Sequence, residues 1–175
     1  MNAQRIARAG VMVALLAVSA QVMLPVGPVP FTLQTLVLAM IPALLDRSTA
    51  ILAITAYVLL GALGLPVFSG FGAGAGALLG PTGGFLWGFV LGVVLASCLY
   101  MAAPQRMGAY VRSLLAAALM LLVSYVCGTV QLMVLMSLDL AQALAIAVIP
   151  FVIPDAIKIA IGARLGCTIG RVLAK

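Results

Sequence analysis

PTGGFLWGFVLGVVLASCLYMA, Pro81–Ala102, runs for 22 residues without one charged side chain. At about 1.5 Å of rise per residue, a helix of that length covers about 33 Å. That is enough to cross the roughly 30 Å hydrocarbon core of a bilayer. Pro104 and Arg106 close the run. The remainder of the 175-residue chain has the same character, with 66% hydrophobic and only 7% charged residues. Soluble domains carry about 25% charged residues, so this chain has too few polar groups to cover a water-facing surface. An integral membrane protein follows. The 18 glycines and 9 prolines do not argue for disorder, because both residues are frequent in membrane helices.

Working outward between the Pro, Gly and charge breaks gives six predicted spans. They cover about residues 6–24, 31–45, 48–65, 81–102, 111–138 and 141–169, in a single membrane domain over residues 1–175. Arg5 and Arg8 precede the first, Arg47 lies between the second and third, and Arg106 and Arg112 lie between the fourth and fifth. Arg164, Arg171 and Lys175 close the chain, whereas the alternate loops hold Asp139 and no Lys or Arg. Cytoplasmic loops carry the excess of Lys and Arg. The expectation is an all-α bundle of six transmembrane helices with both termini cytoplasmic. The net charge of +6 is thus a topology signal and gives no support to a nucleic-acid partner. Arg5 and Arg8 ahead of an apolar run, with Val18-Ser19-Ala20 after it, resemble a signal peptide. The rest of the chain is equally apolar, so an uncleaved first span is expected.

Several chemistries are excluded. There is no His, so imidazole metal sites and His-based acid–base catalysis are absent. Cys98, Cys127 and Cys167 lie in apolar runs and read as small buried hydrophobes rather than a disulfide set. GFGAGAG (Gly70–Gly76) has neither the spacing nor the setting of a dinucleotide fingerprint. A P-loop needs Lys after its last glycine, and no Lys precedes Lys158. If ATP drives this protein, a partner hydrolyses it.

The exception to the apolar pattern is IPFVIPDAIKIAIGARLG, Ile149–Gly166. Asp155 falls 16 residues past Asp139 and nine before Arg164, well inside the bilayer from either face. A charge at that depth costs roughly 2.5–3.5 kcal/mol on insertion scales. Residues at i and i+3 share a helix face, so Asp155 and Lys158 point together into a cavity or the bundle interior. A self-satisfying ion pair that joins helices is one reading. Ionisable groups inside a membrane are more often functional, and a buried pair is weak evidence for stability. Pro150 and Pro154 are expected to interrupt backbone hydrogen bonding just before Asp155, as happens where backbone lines a cavity. A carboxylate accepts N–H donors and an ammonium donates to a carbonyl or carboxylate. The implied ligand is small and mostly apolar, with a few polar atoms at its ends.

Four motifs in order then resemble the BioY family, the biotin-specific substrate-binding (S) components of energy-coupling-factor (ECF) vitamin transporters. They are PVPFTLQTL (Pro28–Leu36), LLGALGLPVFSG (Leu59–Gly70), LLGPTGGFLWGF (Leu78–Phe89) and PFVIPDAIK (Pro150–Lys158). The resemblance covers the whole length. It implies a high-affinity biotin-capturing component of an uptake transporter in the bacterial cytoplasmic (inner) membrane, multi-pass, with no enzymatic activity and no cofactor. Its implied partners are biotin, a transmembrane coupling protein, ABC-type ATPases and membrane lipid. Asp155 and Lys158 match the family's biotin-binding acid and lysine. The carboxylate suits the two ureido N–H groups, and the ammonium suits a carbonyl or the ligand carboxylate.

Further candidates surround that pair. Phe31 and Gln34 open the second span and serve equally as a helix start. Thr82, Gly83, Gly84 and Phe85 open the fourth, where helix N–H groups could hold a carboxylate. Tyr125 and Gln131 are polar points of the fifth, equally suited to interhelical hydrogen bonds. Trp87 reads as an interface anchor or a ligand contact. In the family, small residues of the first helix form the docking face, which here implies Ala7, Gly10, Ala14 and Ala17. The chain departs from the family in two places. Ile153-Pro154-Asp155 stands where Pro-Gly-Asp is usual, and Leu86 stands where some members carry arginine.

Two other functions were weighed on the residues. An autonomous secondary carrier for biotin or a related small vitamin would use Asp155 for proton coupling, but no internal repeat supports alternating access. An intramembrane enzyme lacks its machinery, because no span holds a second carboxylate.

Overall fold

The computed structural model describes residues 2–25 and 27–173. The positive charge of Lys175 and Val26 of the Pro25–Pro30 stretch lie outside those residues. Helix α1 (Ala3–Gln21) leads through a short antiparallel pair, β1 (Met23–Leu24) and β2 (Phe31–Thr32), into α2 (Gln34–Leu44) and α3 (Arg47–Ala62). A 3-10 turn at Ser69–Phe71 and the short α4 (Ala75–Leu79) precede α5 (Gly83–Ala102). The chain ends with α6 (Gly108–Met136), α7 (Leu140–Ala147) and α8 (Ile149–Leu173).

The apolar segments named from the sequence all carry helix, but their lengths differ from expectation. Helices α1 and α5, and α6 with the turn before it, are each long and apolar enough to cross a membrane. The pair α7 and α8, bent by 42° at the junction, makes a fourth. Helices α2 and α3 are apolar but have only 11 and 16 residues. Length and composition therefore give three or four crossings, against six predicted spans.

The break in the last span is also displaced. It falls at Val148 (φ −126°, ψ −57°), whereas Pro154 lies inside a continuous α8. Pro150 is the second residue of that helix, where a missing N–H leaves nothing unpaired. Pro150 is also what ends α7, because its ring and missing N–H cannot continue that ladder, while α7 itself starts at a cap. The Asp139 carboxylate accepts from the Gln142 backbone N–H, and the Gln142 side chain accepts from the Asp139 N–H. This reciprocal cap satisfies two donors that a helix start otherwise leaves free.

The two ends of the bundle differ. At one end Asp46 caps α3 and accepts from the Ser48 and Thr49 hydroxyls at 2.6 and 2.7 Å. Those hydrogen bonds, Ser48 first, hold its carboxyl down at about 2. Arg5 lies 3.7 Å away, so the start of α1 is tied to the α2–α3 turn. Arg112 stacks on Tyr100 and Arg164 on Tyr110 at the same end. The opposite end carries the β1–β2 hairpin, the 3-10 turn and Asp139.

Between the ends, the closest helix pairings are α5 with α6 and α2 with α8. Both are glycine seams. A Cβ at Gly84 or Gly88 would strike the α6 backbone at Cys127 or Ser124, and one at Gly162 or Gly166 would strike the α2 backbone at Leu36 or Met40. Small residues let membrane helices approach to backbone contact. The core between them holds Leu16, Ile41, Ile54, Tyr57 and Val93, all buried. Leu91, Leu95, Val126 and Val130 face outward and are exposed. An apolar exterior of that kind suits lipid rather than water. Cys98 belongs to this outer surface and Cys127 is half-buried. Only Cys167 fits the expectation of a buried cysteine.

Candidate functional site

Helix α8 presents Asp155 and Lys158 one turn apart on its inward face. They are 3% and 6% exposed. The ammonium lies 2.5 Å from Asp155 Oδ1 and donates to the Thr32 carbonyl at 2.7 Å. It also sits 3.9 Å above the centre of the Phe31 ring, a placement that attracts a cation. The Asp155 carboxylate accepts from the Thr35 hydroxyl at 2.9 Å and from the Tyr125 hydroxyl at 2.7 Å. Residues of β2, α2, α6 and α8 thus converge on one buried ion pair. An ammonium has three donors and a carboxylate about four acceptor positions. The pair therefore keeps one N–H and about one lone pair beyond its present partners.

The pair faces a cavity of about 210 Å³. Phe85, Leu86, Phe89, Leu121 and Phe151 form apolar walls, and Thr35, Ser124 and Tyr125 add polar points. Val29 and Pro30 from the hairpin, with Phe68, Ser69 and Gly72, form the wall at the hairpin end. Phe31 does not line the cavity, but its ring stacks on Phe151 with centroids 6.1 Å apart. Gln34 lines it and donates from Nε2 to the Tyr57 hydroxyl at 2.7 Å. Tyr57 in turn donates to the Val67 carbonyl. One N–H of Gln34 is thereby spent on holding α3, and its oxygen accepts from the Thr32 hydroxyl at 3.5 Å.

The remaining candidates divide. Thr82 and Phe85 line the cavity, as do Tyr125, Asp155 and Lys158. Gly83, Gly84 and Gln131 do not. A Cβ at Gly83 would strike the Leu78 backbone, and Gln131 donates to the Leu78 and Gly80 carbonyls. These three residues fix the turn into α5 against α6. The helix-end anion cradle expected at Thr82–Phe85 is also partly spent, since Gly83 N–H goes to the Gly80 carbonyl and Phe85 N–H to the Thr82 carbonyl. Trp87 is half-exposed on the outer face of α5. On α1, Ala7, Gly10 and Ala14 are exposed and Ala17 is half-buried, all away from the cavity.

Sequence reasoning missed Thr35 and the Thr32 carbonyl. Thr35 stands in the same Pro28–Leu36 motif as Gln34, and a hydroxyl in so apolar a helix was a legible signal. A backbone carbonyl leaves no trace in the sequence.

Residues 1–175 match the BioY family. The chain belongs to that family. Among curated BioY-family proteins, "Biotin transporter BioY" of Thermotoga maritima is 46% identical over 96 residues. "Biotin transporter BioY2" of Lactococcus lactis subsp. cremoris is 36% identical over 140 residues. The first match covers 55% of this chain and 57% of that protein, the second 79% and 75%. The chain thus spans little more than half the length of the Thermotoga relative. A crystal structure of "the S-component for biotin from an ECF-type ABC transporter" superposes with a TM-score of 0.88. It covers 98% of this BioY-family chain and 95% of the other, at 21% identity. The two share a fold.

Proposed function

We propose that this chain is a biotin-binding S component: it captures biotin within the membrane and performs no chemical conversion. The observation that carries this reading is the buried Asp155–Lys158 pair facing an apolar cavity. Biotin has two ureido N–H donors, a carbonyl, an apolar ring and tail, and a carboxylate. Asp155 accepts one ureido N–H on its remaining lone pair, Lys158 donates its remaining N–H to a ligand oxygen, and Phe85, Phe89 and Phe151 cover the apolar body. The names of the relatives point to the same ligand. Purified protein without any other subunit is expected to bind one biotin per chain in isothermal titration. No heat of binding from folded protein overturns the reading.

The same reading places the chain in a bacterial cytoplasmic membrane as a single domain with six passes and both termini inside. Arg5, Arg47, Arg106, Arg112, Arg164 and Arg171 all belong to one end of the bundle, which supports that orientation. Single cysteines placed at Gly27 and Gly74 in a cysteine-free background are expected to react with a membrane-impermeant thiol reagent in whole cells. One placed at Arg106 is expected not to react. The reverse pattern overturns the orientation. Active uptake requires a separate coupling protein and ATPases, which dock on the small-residue face of α1.

A further inference from the structure

The segment between α3 and α4 contains the most unusual backbone in the molecule. Gly70 and Phe71 are consecutive residues in the left-handed region, with φ of 64° and 59°. Glycine adopts that conformation freely, but a phenylalanine there is strained. Phe71 gains nothing by burial, since its side chain is 69% exposed. Two backbone hydrogen bonds, Phe68 N–H to the Gly72 carbonyl and Gly72 N–H to the Ser69 carbonyl, close the turn on itself, and one side chain reinforces them.

The side chain that does so is Gln21, the last residue of α1. Its Nε2 donates to the Phe68 carbonyl at 3.0 Å and its Oε1 accepts from the Phe71 N–H at 2.9 Å. One amide thus bridges both ends of the turn. A third hydrogen bond, from Nε2 to the Ala17 carbonyl, fixes the amide to its own helix. On the inner side the same turn is anchored by the Phe68 ring, which packs edge-on to Tyr57 and against Gly61. Phe68, Ser69 and Gly72 form part of the cavity wall. Gln21 itself does not line the cavity, so no ligand contact accounts for its geometry.

We propose that Gln21 is a positioning residue that holds residues 68–72 closed across the cavity, and so sets how fast ligand enters and leaves. The ligand side of this rests on the biotin reading given above. The clamp makes the same contacts whatever occupies the cavity. Weakening it therefore speeds association and dissociation together and leaves their ratio nearly unchanged. A residue that touched ligand would change that ratio, and a residue needed only for folding would change the fraction of active protein.

The test is Gln21→Leu, which keeps an uncharged side chain and removes all three hydrogen bonds. Association and dissociation of biotin, followed by stopped flow, are each expected to rise about tenfold, the scale of losing the two hydrogen bonds that bridge the turn. The dissociation constant is expected to stay within about twofold. Gln21→Glu keeps the acceptor for Phe71 N–H and is expected to fall between wild type and Gln21→Leu; it also serves if Gln21→Leu fails to fold. Adding Phe71→Gly to Gln21→Leu removes the backbone strain and is expected to slow both rates again. A ligand-free measurement separates the clamp from the biotin reading. Ser124→Cys, in a background with the three native cysteines replaced by Ala, places a thiol in the cavity wall. Its reaction with a small thiol reagent is expected to be about tenfold faster when Gln21 is Leu. Unchanged thiol reactivity overturns the clamp, and so does a rise in dissociation without a matching rise in association. If wild type binds no biotin, the proposed function fails while thiol reactivity still decides the clamp.

Discussion

Asp155→Ala and Lys158→Ala are each expected to weaken biotin binding by about 30-fold or more, as is typical when one partner of a desolvated charged contact is removed. Their effects on folding are expected to differ, and the hydrogen bonds say how. Removing Lys158 leaves the Asp155 carboxylate still accepting from Thr35 and Tyr125. Removing Asp155 leaves a buried ammonium with the Thr32 carbonyl and the Phe31 ring as its partners, and strands two hydroxyl donors. Unpaired buried charges are costly. Lys158→Ala is therefore the cleaner probe: its carboxylate keeps two hydroxyl donors, so it should elute as a folded monodisperse peak and lose less thermal stability than Asp155→Ala. If it does so and titrates with biotin like wild type, the ion pair serves only to join helices.

Replacing Gly10 and Ala14 together by Leu is expected to leave biotin binding by the solitary protein intact and to abolish ATP-driven uptake. Nothing lies within 4 Å of a Cβ built on Gly10. Helix α1 buries Ala9, Met12, Leu16, Ser19 and Ala20 instead, so the small-residue stripe faces away from the bundle. Added side chains there do not disturb internal packing, but they prevent a second helix from approaching closely. The measurement is co-purification with the coupling protein and ATPases, alongside biotin uptake by cells expressing all components. Intact assembly and uptake would show that this face meets only lipid. Lost biotin binding by the solitary variant would show instead that the stripe supports the fold.

The membrane class and the ion pair were legible because they depend on counts and on local periodicity. Lys and Arg confined to alternate loops, or an acid and a lysine one helical turn apart, mean the same thing in any context. What failed was everything that a distant residue decides. Gly83 and Gly84 opening a helix suit a ligand or a neighbouring helix equally well. Only the position of Leu78 and of the Cys127 carbonyl selects the second. Of the two prolines expected to interrupt the last span, Pro150 stands just after the break at Val148, whereas Pro154 is absorbed inside α8. Cys98 looked buried because its neighbours are apolar, yet in a lipid-facing helix apolar neighbours also mark the outside. The Thr35–Asp155 hydrogen bond spans 120 positions of sequence, beyond any pattern that a single chain displays.

The glycine seam between α2 and α8 has a consequence for how such a protein can be altered. Gly162 and Gly166 bring α8 against the α2 backbone, so the helices that carry Thr35, Asp155 and Lys158 cannot part without losing that packing. The floor of the cavity is stiff. Its roof consists of a two-residue hairpin ladder and a strained turn that the Gln21 amide ties to α1. Selectivity and tempo then reside in different parts of the chain. Changes to the turn that Gln21 holds are expected to retune exchange, whereas changes to the floor, or to the Phe31–Thr32 strand that meets Lys158, are expected to alter what is recognised.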